Sequence, residues 1–137
     1  MYKNILIPLD ISYADKVILD HIKPLARLTN AKILFVHVSD GFMARHQKDL
    51  GESDEMRDDL KYLKEREAEF REEGFDASSV LLTGEPYKKI LELADRENID
   101  LIAMATHGHR YLNDIILGTV ASDVRHNTKI PVLQIKA

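Results

Sequence analysis

Short apolar runs alternate along the chain with segments in which apolar residues recur every three or four positions. The runs are nearly free of polar residues, which is typical of strands whose two faces are both covered. They span residues 5–9, 33–36, 80–82, 101–104 and 130–135. The three- and four-residue spacing between them predicts helices. These segments span residues 17–28, 56–70, 90–94 and 112–124.

This order of strands and helices predicts the fold class. Alternation of the two implies parallel strands joined by right-handed crossovers. The length of 137 residues is that of about one domain. We therefore expect a single α/β domain over residues 1–137, a three-layer sandwich around a five-stranded parallel sheet. Asn30 is expected to end the first helix, and Pro86 to stand in the first turn of the helix after the third strand.

One stretch, residues 39–54, has no clear period and contains two glycines and mixed charges. It is expected to be a long connection after the second strand. Connections of that length are often functional.

The charge balance argues against two classes of partner. Nineteen Lys and Arg against 23 Asp and Glu give a net charge of -4, which repels nucleic acid and anionic bilayers. No apolar run approaches the roughly 20 residues of a membrane-spanning helix, and the first strand follows the N-terminus without a signal-peptide pattern. We therefore expect a cytoplasmic protein with no nucleic-acid partner and no membrane insertion. The absence of Cys excludes disulfides, thiolate metal sites and Cys nucleophiles.

Candidate binding residues follow the strands, because ligands of open parallel sheets bind beyond the carboxyl ends of the strands. Asp10 follows the first strand, where its carboxylate can accept a hydrogen bond from a ribose hydroxyl or an adenine amino group. It competes with Ser12 and Asp15 for a different role, that of capping the first helix. Val38 and Met104, at the ends of two other strands, can form apolar walls for a flat base or simply belong to the core.

A glycine inside the last helical pattern, Gly118, predicts an interruption. Glycine costs about 1 kcal/mol relative to Ala in a regular helix, so a structural reason is expected. We expect a helical turn over residues 111–117 and a new helix starting at Gly118 and Thr119, whose free N–H groups favour an anion. Gly108 allows close approach of the backbone to that anion, and the Thr119 hydroxyl can donate to it. The alternative is that Gly118 only permits close packing and Gly108 only turns the chain.

Evidence for catalysis is missing from the sequence. His107 and His109 flank Gly108, but no third residue stands at a zinc-ligand spacing, so we expect contact with solvent or ligand instead. Residues 106–109 match a T-x-G-H nucleotidyltransferase pattern, yet they follow the fourth strand, whereas that motif follows the first strand of its fold. No nucleophile elbow, P-loop or dinucleotide-binding glycine pattern is present. No catalytic residue and no protein-held metal are therefore predicted.

Several segments together resemble the universal stress protein family, in order and over nearly the whole chain. They are residues 3–10, 36–38, 84–86, 100–104 and 106–120. The nucleotide-binding branch of that family carries G-x-x-G, nine residues, then G-[ST]. Gly108 and the pair Gly118 and Thr119 fit this pattern. Ala105 replaces the first glycine and adds a methyl group where the backbone should pass the ligand.

The resemblance implies an adenine-nucleotide-binding α/β domain with strand order 3-2-1-4-5, in which the nucleotide lies between the ends of the first and fourth strands. ATP is the expected nucleotide, with Mg²⁺ or Mn²⁺ bound through its phosphates. By position, adenine and ribose are assigned to Pro8, Asp10, Val38, Met104 and Ala105, and the phosphates to Gly108, Gly118, Thr119 and Val120.

The family resemblance also implies a stress-response regulator that forms a homodimer through the last strand, residues 130–136, and sometimes acts on a transporter or other protein. We expect nucleotide occupancy to order residues 39–54 and so alter a partner surface. Two alternatives are an interaction protein whose crevice has lost nucleotide binding at Ala105, and a slow ATPase that uses His107 or His109.

Overall fold

The computed structural model describes residues 1–40, 50–106 and 114–137, and its centre is a parallel sheet. The strands are β1 (Asn4–Pro8), β2 (Lys32–Asp40), β3 (Asp76–Gly84), β4 (Leu101–Thr106) and β5 (Val132–Lys136). Their order across the sheet is β3-β2-β1-β4-β5, with parallel neighbours throughout. The α/β class and the strand order 3-2-1-4-5 are confirmed.

Four helices connect these strands within the described ranges. They are α1 (Ala14–Thr29), α2 (Leu50–Glu72), α3 (Pro86–Arg96) and α4 (Asp114–His126). Asn30 ends α1 in the left-handed conformation with φ 54° and ψ 42°, and Pro86 occupies the first turn of α3, as predicted. None of these helices combines the length and the apolar character needed to cross a bilayer.

The predicted connection over residues 39–54 was wrong at both ends. Ser39 and Asp40 belong to β2, where they stand in register with Thr83 and Gly84 of β3. At the other end α2 already begins at Leu50, so residues 50–54 are helical. One glycine in the first turn of a 23-residue helix costs about 1 kcal/mol, which the rest of the helix outweighs. Residues 41–49 lie outside the described part of the chain.

The predicted helix break at Gly118 was also wrong. Helix α4 starts at Asp114 and passes through Gly118 without interruption. Its following turns bury Ala121 and Val124 against the core. Burying such side chains stabilises the helix by more than the roughly 1 kcal/mol that one glycine costs. Residues 111–113, the start of the predicted turn, lie outside the described ranges.

Side chains of each strand alternate between two core layers, because successive residues of a strand point to opposite faces. Ile5 and Ile7 pack on the side of α1 and α2, while Leu6 between them packs on the side of α3 and α4. In the first layer the rings of Phe35 and Phe70 meet edge to face, with 5.0 Å between their centroids. The sheet is therefore covered on both faces, and its polar chemistry is confined to its edges and ends.

Candidate ligand-binding site

The sheet opens at the carboxyl ends of β1 and β4. β1 stands in register with β4 only at two residues, Ile5 and Leu6, whereas its register with β2 extends to Pro8. The N–H of Leu9 donates to the carbonyl of Val36 (2.8 Å), so the preceding amide position faces the β4 side. That position is Pro8, which has no N–H to donate. The two strands therefore separate where the order of the sheet reverses.

A cavity of about 350 Å³ occupies this opening. Its volume falls in the range of small-molecule sites. Most of its walls are apolar, with two carboxyl groups and one imidazole among them. It is lined by Pro8, Leu9, Asp10, Asp15, Val36, His37, Val38, Pro86, Ile90, Met104, Ala105 and Val120.

Six of the nine residues assigned to the site from the sequence line this cavity. They are Pro8, Asp10, Val38, Met104, Ala105 and Val120. Thr119 is exposed and is not among the lining residues. Gly118 lies inside α4, and Gly108 lies outside the described part of the chain. The cavity thus brings together the residues assigned to adenine and ribose, with Val120 of the phosphate set beside them.

The sequence interpretation missed Asp15 as a lining residue, having considered it only as a helix cap. Asp15 is 2% exposed, and its carboxyl accepts hydrogen bonds from the backbone N–H of Asp10 (3.1 Å) and Ile11 (2.9 Å). The Tyr62 hydroxyl donates a further bond of 2.8 Å. Burial, reinforced by the neighbouring Asp10 carboxyl, raises the pKa of Asp15 from 3.8 to about 7, while the bonds from Tyr62 and the Asp10 backbone oppose the shift.

The loop between β1 and α1 holds a strained residue. Ile11 has φ 62°, in the left-handed region that β-branched residues rarely occupy. The next residue, Ser12, donates from its hydroxyl to Oδ1 of Asp10 (2.7 Å) and accepts from the N–H of Ala14 (3.2 Å). The orientation of the Asp10 carboxylate at the cavity is therefore determined by the conformation of this loop.

His37, also missed, connects three segments at the cavity wall. Its Nδ1 lies 2.7 Å from the carbonyl oxygen of Leu9. A carbonyl only accepts, so the proton of this bond belongs to Nδ1. On the other side Nε2 lies 3.7 Å from Oδ2 of Asp59, which also accepts a 3.4 Å bond from the Ser39 hydroxyl. These contacts hold the imidazole between β1, β2 and α2.

Ala105 belongs to the core as well as to the cavity wall. It is 5% exposed and packs in the cluster that contains Leu9 and Ala14, on the α1 side of the sheet. Met104, the apolar wall residue before it, packs in the opposite layer. Strand alternation therefore directs the Ala105 methyl away from the Met104 side of the cavity.

The side chains that line the cavity suit a nucleoside better than a polyphosphate. Val38 and Met104 offer apolar surface to a flat base, and the Asp10 carboxylate can accept from ribose hydroxyls. Among the described lining residues there is no Lys or Arg to balance phosphate charge. The described residues also contain no group of three or more His, Asp or Glu that could hold a metal.

The sequence model of the Universal stress protein family matches residues 1–136. Universal stress protein MJ0577 of Methanocaldococcus jannaschii is 29% identical over 155 aligned residues, covering 99% of this chain and 96% of the relative. Universal stress protein MJ0531 of the same organism is 31% identical over 144 residues, covering 99% and 83%. These matches extend over the whole order of elements, not over one motif.

Solved structures give the same result at the level of the fold. The MJ0577 structure superposes with a TM-score of 0.85 at 29% identity and covers 100% of this chain and 97% of its own. The universal stress protein from Archaeoglobus fulgidus, solved in complex with dAMP, superposes with a TM-score of 0.73 at 24% identity, covering 98% of each chain.

Proposed function

Because this chain belongs to the universal stress protein family, we propose that it is a regulatory protein that binds an adenine nucleotide at the carboxyl ends of β1 and β4. The observation that carries the proposal is the cavity itself, where apolar walls and the Asp10 carboxylate meet at the reversal of the strand order. The dAMP complex of the A. fulgidus protein supports it through the shared fold.

In this proposal the base lies against Val38 and Met104, and the ribose faces Asp10. Burying a flat base between apolar side chains supplies affinity without charge. The carboxylate adds directional recognition of hydroxyl or amino donors, because an ionised carboxylate only accepts hydrogen bonds. Pro8 and Ala105 complete the wall on the two strands that separate.

In this proposal the phosphates extend towards Gly118, Thr119 and Val120, the fifth to seventh residues of α4, and towards Gly108, which lies outside the described part of the chain. ATP is the proposed nucleotide, and bound Mg²⁺ or Mn²⁺ would neutralise part of its phosphate charge. This help is needed because Asp10 and Asp15 give the described cavity wall acidic side chains without a Lys or Arg.

Occupancy is proposed to act on partners through α2. Two side chains of this helix contact the cavity wall: Asp59 lies beside His37, and the Tyr62 hydroxyl donates a hydrogen bond to Asp15. A ligand that shifts either wall residue changes the position of a largely exposed, charged helix. The proposed readout is a protein partner, such as a transporter, in the cytoplasm.

The proposed assembly is a homodimer through residues 130–136. β5 lies at an edge of the sheet, and its side chains Val132, Leu133 and Ile135 are half-buried in the single chain. An apolar edge strand has unpaired backbone groups that a second copy can pair. Native mass spectrometry of the purified protein measures both the dimer and any nucleotide that it retains.

The direct test is isothermal titration with AMP, ADP and ATP, with and without Mg²⁺, and with GTP as the control for base recognition. Ligand at a hundredfold its dissociation constant stabilises the fold by about 2.7 kcal/mol, which a melting experiment detects easily. We expect heat and thermal stabilisation with the adenine nucleotides and a much smaller effect of GTP. Absence of heat and of thermal stabilisation at millimolar adenine nucleotide would refute the proposal.

A further inference from the structure

The Asp15 carboxyl joins three segments at the edge of the cavity. Asp15 lies in the first turn of α1. Its carboxyl accepts hydrogen bonds from the N–H groups of Asp10 and Ile11 and from the hydroxyl of Tyr62 on α2. The N–H of Ser12 donates a longer bond of 3.4 Å to Oδ2, the oxygen that also accepts from Ile11 and Tyr62. One buried carboxyl therefore collects three successive backbone amides and a side chain 47 residues away.

Resting on the nucleotide site proposed above, we propose that Asp15 is a positioning residue whose carboxylate holds residues 10–12 in the conformation that presents Asp10 to the nucleotide. The loop needs this support because the backbone of Ile11 is strained. An L-residue with a branched side chain avoids φ 62° unless its surroundings compensate the strain. The amide bonds to Asp15 supply that compensation, and without them the loop relaxes and Asp10 turns away from its position.

A buried acid that lines a cavity is also unusual enough to indicate function. Removing a carboxylate from water is unfavourable, and such groups are kept mainly where chemistry or binding needs them. A role in helix stability alone would be filled equally well by an exposed acid. Asp20 of α1 is such an acid, paired with Lys16 at the surface.

This arrangement couples nucleotide binding to the protonation of Asp15. The groups that face Asp15 are the Asp10 carboxyl from the loop and the Tyr62 hydroxyl from α2, with the Arg66 guanidinium 4.6 Å from the Tyr62 ring centroid. On the β2 side, His37 lines the same cavity and lies near Asp59.

Since the pKa of Asp15 is raised to about 7, acidification protonates it near neutral pH. A protonated carboxyl has no negative charge and keeps only part of its acceptor capacity, so its bonds to the loop amides weaken and nucleotide affinity falls.

The first experiment measures the dissociation constant of AMP by titration calorimetry at pH 8 and pH 6. We expect Asp15→Asn to weaken binding about tenfold at pH 8, the fold-change that follows from losing one bond to a buried charged group. Asp20→Asn is the matched control and keeps the wild-type constant. From pH 8 to pH 6 the AMP affinity of the wild type falls by more than that of Asp15→Asn. The fall in Asp15→Asn measures what titration of the AMP phosphate contributes.

The second experiment uses glycine to remove the strain. In the Asp15→Asn background, adding Ile11→Gly restores most of the AMP affinity, whereas adding Ile11→Ala does not, because only glycine adopts positive φ without cost. Melting temperatures test the same point without nucleotide. With Asp15 present, Ile11→Gly melts about 3 °C above Ile11→Ala, and with Asp15→Asn this order is lost or reversed.

Each outcome has one meaning. If the folded Asp15→Asn protein binds AMP like the wild type, the positioning role is overturned while the nucleotide site stands. If Ile11→Gly melts no higher than Ile11→Ala with Asp15 present, the strain argument is overturned, even where Asp15→Asn does not fold. If Ile11→Gly melts above Ile11→Ala but the wild type binds no adenine nucleotide, Asp15 still supports the loop conformation and the proposed function fails.

Discussion

The hydroxyl group of Tyr62 donates a 2.8 Å hydrogen bond to Oδ2 of Asp15, and so ties α2 to the first turn of α1 at the cavity. We expect Tyr62→Phe to lower the free energy of unfolding by about 1–2 kcal/mol at pH 8, because a buried carboxylate loses one of its donors. Urea denaturation measures this. Tyr87→Phe on α3 is the control and should change stability by less than half as much; equal effects would contradict the prediction.

The pH dependence of stability carries the signature of Asp15. Its pKa is about 7 in the folded protein and 3.8 in the unfolded chain, so between these values the folded state binds more protons. Stability from this group therefore falls as pH rises from about 4 to about 7, by at most about 1.4 kcal/mol per pH unit, and levels off above 7. Asp15→Asn removes this component.

The measurement is the difference between the urea-unfolding free energies of the wild type and Asp15→Asn across pH 4 to 8. The difference is needed because Glu67 contributes the opposite trend. Contacts with Ser79 and Lys64 overcome the effect of its burial and lower its pKa, so its contribution to stability rises with pH. Parallel pH profiles for the two proteins would show that Asp15 ionises normally.

Val38 offers a test of the cavity as the binding site. Val38→Phe fills apolar space at the cavity wall, so we expect at least a tenfold loss of AMP affinity with the melting temperature kept within about 3 °C. Val38→Ala leaves the cavity open and should weaken binding only a few-fold, because it removes little contact surface. Calorimetric titration of both variants checks this; unchanged affinity in Val38→Phe would place the nucleotide elsewhere.

Ala105 distinguishes nucleotide binding from the alternative in which the crevice has lost it. Its methyl packs in the α1-side core, so we expect Ala105→Gly to leave AMP affinity within about twofold and to cost about 1 kcal/mol of stability. Titration calorimetry and urea denaturation give the two values. A large gain in affinity would instead support the interaction-protein alternative, in which the methyl blocks the ligand.

Glycine positions were poor predictors of helix ends in this chain. Gly118 suggested a helix break, and Gly51, one of the two glycines of residues 39–54, suggested a loop, yet both residues belong to helices. A glycine penalty of about 1 kcal/mol per residue is smaller than the packing that holds α4 through Ala121 and Val124. Long-range packing therefore decided what the local preference left open.

The alternation of apolar runs and helical spacing by itself determined the α/β class, and the strand-end positions pointed to Asp10, Val38 and Met104, because these signals depend on neighbouring residues in the chain. Only the tertiary structure decided the surroundings of Asp15. Its partner Tyr62 is 47 residues away, and its raised pKa comes from burial and from the nearby Asp10 carboxyl. Such effects arise when α1 and α2 pack side by side on the sheet, and no spacing within the chain encodes them.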